Sequence, residues 1–125
     1  MKRNRVALVF VAVAVAAGSI WFGFREQGCK QRGAAFAQQV ERIQRDAIKE
    51  LKVGSNKAAV ARFFAEHNIP FAFRESEAFG ALRTSGCAPL GCGTDVGFIG
   101  VKVELNAAHT VTDVPRVYGM YQDCF

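Results

Sequence analysis

The sequence predicts an α+β protein: an N-terminal transmembrane helix, then two helices packed on one face of a three- or four-stranded antiparallel sheet. Three observations predict it. Residues 6–24 form a run of nineteen positions without a charge, after the basic start Met1-Lys2-Arg3-Asn4-Arg5. Two later segments repeat apolar residues at helical spacing, and after Pro70 the repeat shortens to two. On this division residues 1–28 are the membrane segment and residues 29–125 one extracytoplasmic domain. A domain of that size buries a modest core, so covalent bracing would help it.

The apolar run spans about 28 Å as a helix, close to the hydrocarbon thickness of a bilayer. Basic residues before it place the N-terminus in the cytoplasm and the domain outside. Three readings of the run remain open: a cleaved signal, a retained anchor and a buried core helix. Ala14-Val15-Ala16 resembles a signal-cleavage site. The continuation through Ile20, Trp21, Phe22 and Phe24 instead gives anchor length, with Trp21 where interfacial aromatics collect. The net charge of +5 belongs to this flank. Apart from Lys2, Arg3, Arg5 and Arg25, twelve basic residues face eleven acidic ones, so the domain has no footprint for nucleic acid.

Four cysteines, Cys29, Cys87, Cys92 and Cys124, lie outside the run. In an exported domain they read as two disulfides with three pairings open. The favoured pair is Cys87–Cys92, closing a tight loop worth about 2 kcal/mol, and Cys29–Cys124, tying the domain's ends for about 5 kcal/mol.

The domain's first helix is expected over residues 31–53, with Phe36, Val40, Ile43, Ala47 and Leu51 on one face. Gly54 stops it. Ser55 is the expected cap of a second helix over residues 56–66, with Val60, Phe63 and Phe64 as its stripe; Asn68 and Pro70 end it. Residues 71–75 alternate as a strand. Residues 76–84 are ambiguous because Gly80 splits two short apolar pairs, and residues 84–97 read as loop. Ile99, Val101, Val103 and Leu105 mark the clearest strand. Residues 106–109 make a turn, and a last strand over residues 110–121 carries a bulge between Val111 and Val114 and an edge position at Pro115.

No catalytic set emerges from these residues, so no enzyme, cofactor or metal is expected. Cys87 and Cys92 are too far apart for a thiol-redox pair at a helix start, and the four sulfurs do not form two close pairs for zinc. His67 and His109 sit in unrelated segments; His67 suits a helix end charge. Glu75 and Glu77 would share a face if the strand persisted, as solvated acids rather than an acid–base pair. The loop glycines precede no helix and no lysine, so they cradle no phosphate. Eleven phenylalanines are many for this length. Phe36, Phe63, Phe64, Phe71 and Phe73 fit the core; Phe79, Phe98 and Phe125 fit it less easily. Phe79 and Phe98, with Leu90 in the cysteine loop, are the candidate partner contacts.

The helix junction at Gly54, Ser55 and Val60 resembles the helix–turn–helix centre of small envelope domains of the BamE (SmpA/OmlA) type. In those domains a helix ends at glycine, Ser or Thr opens the next, and a branched apolar residue follows five positions on. Residues 101–105 and 111–114 resemble that family's terminal hairpin, so the likeness covers about residues 45–118. It implies a two-layer fold that works by protein contact in the envelope. The chain departs from the pattern in lacking a lipidated N-terminal cysteine and in ending its second helix with His67-Asn68-Ile69-Pro70. The helix-pair-plus-sheet plan is also similar to the modules of secreted β-lactamase inhibitor proteins. The expectation is therefore a non-enzymatic domain anchored in the inner membrane through residues 6–24 and binding another envelope protein. The alternative is an inhibitor-type module released by cleavage.

Overall fold

The protein's computed structural model describes residues 2–124. Its elements are α1 (Lys2–Glu50), α2 (Lys57–Glu66), β1 (Phe71–Phe73), β2 (Glu77–Ser85), β3 (Val96–Glu104) and β4 (Arg116–Tyr121). The chain divides into two units, Met1–Gln31 and Arg32–Phe125.

The apolar run and the first amphipathic stretch, expected as separate helices, belong to the single element α1. The glycines at 18, 23, 28 and 33 cost about 1 kcal/mol each in a helix but keep their N–H groups, whereas no proline precedes Pro70 to break the ladder. In the first unit the large apolar side chains from Leu8 to Phe24 are 59–71% exposed. An 18-residue window of mean hydropathy 2.2 makes α1 long and apolar enough to cross a membrane. Arg25 lies over the Trp21 ring, 5.5 Å from its centroid, and Lys30 pairs with Glu26 at 3.3 Å. The run thus ends in an aromatic–cationic collar of the kind that suits a membrane–water boundary. The side chains of Lys2, Arg3 and Arg5 lie outside the described residues.

In the second unit the expected α1 stripe is buried: Phe36, Ile43, Ala47 and Leu51 lie in the core, with Val40 at its margin. Gly54 takes φ +96°, the left-handed conformation that ends a helix without a Cβ penalty. Its N–H donates to the Val111 carbonyl at 2.8 Å, and the Val111 N–H donates to the Ser55 carbonyl at 2.9 Å. That clamp holds Ser55 by its backbone, and the cap falls one residue later than the sequence suggests. The Asn56 side-chain oxygen accepts from the Ala59 N–H at 2.9 Å. α2 buries Val60, Phe63 and Phe64. His67 follows as its C-cap, its ring tilted against Phe63 with centroids 4.5 Å apart, and with Nε2 at 3.8 Å from Asp46 and 4.0 Å from Glu50 of α1.

The strands form an antiparallel meander in the order β1-β2-β3-β4. β2, ambiguous in sequence, is nine residues long and unbroken at Gly80. A Cβ there would lie 2.6 Å from Cε1 of Phe64 and 2.9 Å from Cγ2 of Ile69, so the glycine makes room for a ring in the core and does not split the strand. β1 stops at Phe73, and the Arg74 N–H donates to the Glu77 carbonyl at 2.7 Å. Glu75 is therefore in the turn and Glu77 in β2, so the two carboxylates do not share a strand face. β3 begins earlier than expected, at Val96, and buries Ile99, Val101 and Val103, with Leu105 following. The Asn106 side chain accepts from the Ala108 and Thr110 N–H groups and shapes the turn. The last strand begins at Arg116 and not at Thr110: Val111 makes an isolated bridge to Leu105, is claimed by the helix junction, and the chain re-enters the sheet only after Pro115.

One sheet face is the core. Register aligns Ala78, Gly80 and Leu82 of β2 with Val103, Val101 and Ile99 of β3, and these last two with Val117 and Gly119 of β4. Helices α1 and α2 supply the other side of that cluster. Phe36 reaches both Gly97 and Gly119, where a Cβ would lie 2.8 and 2.7 Å from its ring atoms. Phe71, expected in the core, stays partly exposed while stacking on Phe64 at 4.8 Å.

Two stability outcomes follow from these contacts, read as urea midpoints of the full chain in detergent. Gly80→Val forces a branched side chain into the Phe64 ring and should destabilise by about 1–3 kcal/mol. Asn56→Ala removes the α2 cap and should cost about 1 kcal/mol; no change in midpoint would show that the cap carries no stability.

Candidate functional site

The other sheet face is built by the alternate residues. Read across β2, β3 and β4 it carries Arg83–Phe98–Met120, then Ala81–Gly100–Tyr118, then Phe79–Lys102–Arg116, with Glu77 and Glu104 at the end. An apolar band runs through the middle, with charge at its rims. Tyr118 lies against Gly100, where a Cβ would sit 2.6 Å from the ring. Phe79 and Phe98 are half-buried, Tyr118 is 36% exposed and Met120 49%. At the charged end Glu77 pairs with Lys102 and Arg74, both at 3.2 Å. It lines a shallow depression of about 240 Å³ with Ser76, Glu104 and Thr112. An apolar centre with a polar rim is the anatomy of a protein-contact surface.

The structure thus places two of the three candidate contacts, Phe79 and Phe98, on one face. Leu90 lies apart from them, in the loop between β2 and β3, and is 105% exposed. Phe125 lies outside the described residues. Sequence reasoning missed Tyr118, Met120 and Arg83. The signal for the first two was present: they alternate with Val117, Gly119 and Tyr121, which lie on the core face.

The loop that presents Leu90 is held by many bonds. Pro89 carbonyl accepts from the Cys92 N–H at 3.3 Å, with Gly91 at φ +99°, so Leu90 sits at the first central position of a tight turn. Asp95 accepts from the Ala88 N–H at 3.0 Å and faces Arg32 at 3.7 Å. The Cys87 N–H donates to the Tyr121 hydroxyl at 3.2 Å.

The favoured cysteine pairing is corrected. Cys92 bonds Cys124, with S–S 2.01 Å across 32 residues, so neither Cys87–Cys92 nor Cys29–Cys124 forms. The cause is local topology: the segment entering β3 runs beside the one leaving β4, the Gly93 N–H donates to the Asp123 carbonyl, and Cys92 faces Cys124 as an antiparallel bridge. Cys29 and Cys87 are disulfide-bonded as well, and no described cysteine is free.

Among the described residues no group of three or more His, Cys, Asp or Glu is disposed to hold a metal. His67 faces two carboxylates at the helix junction, whereas His109 sits at φ +56° in the turn, 5.7 Å from the Phe73 ring. No family model matches the chain, and no curated protein or solved structure matches it either.

The Cys92–Cys124 bridge closes a loop whose constraint is worth about 3–4 kcal/mol on chain-entropy arithmetic. Mass mapping of a non-reduced digest should recover the Cys92 and Cys124 peptides linked. The double variant Cys92→Ala/Cys124→Ala should unfold at lower urea by that margin.

Proposed function

We propose that this chain is a non-enzymatic binding domain held on the outer side of a bacterial inner membrane by residues 6–24, its N-terminus in the cytoplasm. The carrying observation is the pairing of a long exposed apolar helix with a disulfide-braced unit whose second sheet face bears an apolar band. Disulfides persist in oxidising compartments and reduced thiols prevail in the cytosol, so the braced unit suits the periplasm. The basic start and the Trp21–Arg25 collar suit a single span entered with the N-terminus inside. Phe79, Phe98, Tyr118 and Met120 supply apolar contact area, and Arg83 and Arg116 supply the rim. The resemblance of Gly54, Ser55 and Val60 to BamE-type domains points to the same class of role, contact with another envelope protein.

A second reading, a secreted inhibitor-type module, is favoured by one feature: the fully exposed Leu90 on a cross-braced turn, a preorganised contact. The mature N-terminus separates the two, since release requires a start near Ala17.

A photo-crosslinking residue at Phe98 or Phe79 in living cells should give one discrete protein adduct, and none from Glu41 on the exposed side of α1. An alkaline phosphatase fused beyond the domain should be active. An inactive fusion, or no protein adduct from either position, would overturn the proposal.

A further inference from the structure

The sheet has two edges, β1 and β4, and they are finished differently. β1 is three residues long, follows Pro70 and runs into Arg74 and Glu75. Shortness, proline and charge all blunt an edge against pairing. β4 is six residues long, and Arg116 at its start is its only charge. It has no proline within it.

Register fixes which backbone groups of β4 are unused. The Gln122 N–H donates to the Val96 carbonyl at 3.0 Å. In an antiparallel ladder residues two apart point their N–H and C=O the same way, so Met120 and Tyr118 also face β3. Val117, Gly119 and Tyr121 therefore turn theirs to the open edge. Among the described residues no backbone group bonds to them from that side; the Cys124 sulfur lies 3.6 Å from the Tyr121 carbonyl. Beside this row stand the exposed side chains of Tyr118 and Met120, and Arg116 makes no ion pair among the described residues.

We propose that the open edge of β4 is a strand-addition site. An extended segment of another polypeptide, apolar at alternate positions and carrying an acidic residue opposite Arg116, joins the sheet as a fifth strand. Backbone bonds to Val117, Gly119 and Tyr121 give affinity, and Tyr118, Met120 and Arg116 give selectivity. This rests on the binding-domain reading above and names its partner's conformation.

A second copy of the chain fits the edge less well. Two β4 strands paired about Gly119 would run antiparallel. Such a pairing sets Arg116 across from Gln122 of the other copy, so its guanidinium meets no carboxylate there.

The test uses the full-length ¹⁵N-labelled chain in detergent micelles and a synthetic peptide alternating valine and threonine, with one glutamate set opposite Arg116. Amide exchange at Val117, Gly119 and Tyr121 should slow on titration while Phe71, Ala72 and Phe73 stay unchanged. A peptide N-methylated on its edge-facing amides should have no effect. Arg116→Glu should weaken binding about two- to fivefold, with recovery when the peptide glutamate becomes lysine. Absence of slowing at the three amides overturns the proposal. So does slowing in the peptide-free protein as its concentration rises, which identifies a second copy as the occupant. Retained cellular crosslinks at Phe98 beside a failed titration would sink the edge site and leave the binding-domain reading standing.

Discussion

The close approach of aromatic rings to glycines decides how the second unit is put together. Phe36 on α1 covers Gly97 and Gly119 on two adjacent strands, and Phe64 on α2 covers Gly80 on a third. A side chain at any of these three positions would occupy the volume of a ring, so the helical layer would have to lift away. The three glycines therefore set the spacing between the layers and the position of each helix over the sheet. Buried aliphatic residues such as Ile99, Val101, Val103 and Leu51 fill the remaining space, each worth about 1.5–3 kcal/mol of burial.

That packing also determines what the opposite face can present. Because strand residues alternate, seating Val117, Gly119 and Tyr121 under α1 forces Arg116, Tyr118 and Met120 outward. The Val111 clamp acts in the same direction. By bonding to Gly54 and Ser55 it draws the segment before β4 towards the helix junction, so β4 joins the sheet late and as an edge. At the far end the Cys92–Cys124 bond ties the exit of β4 to the loop bearing Leu90. The apolar band, the open edge and the exposed turn are all consequences of where β4 is held.

Features set by short-range periodicity were readable from the residues. The 36–40–43–47–51 stripe, the Gly54 turn, the α2 stripe and the phase of β3 depend on neighbours a few positions away. What escaped depends on distant ones. Gly80 reads as a strand breaker until Phe64 is seen beside it. Ser55 reads as a cap until Val111 takes its carbonyl. Cys92 reads as the partner of Cys87 because they are close in sequence, while its actual partner is set by the path of the chain into β3. The candidate contact surface was half legible: Phe79 and Phe98 stood out as phenylalanines without a place in the core, but their sharing a face with Tyr118 and Met120 required the register of three strands.

The order of the elements has a consequence for biosynthesis. The strands pair only with sequence neighbours, so the meander can close as it emerges, whereas the α1 stripe from Phe36 to Leu51 leaves the ribosome well before β4 exists. At typical elongation rates of about 5–20 residues per second, that oily surface waits several seconds for the last strand that covers it. Until then the nascent chain needs shelter, from a chaperone or from the translocation machinery itself.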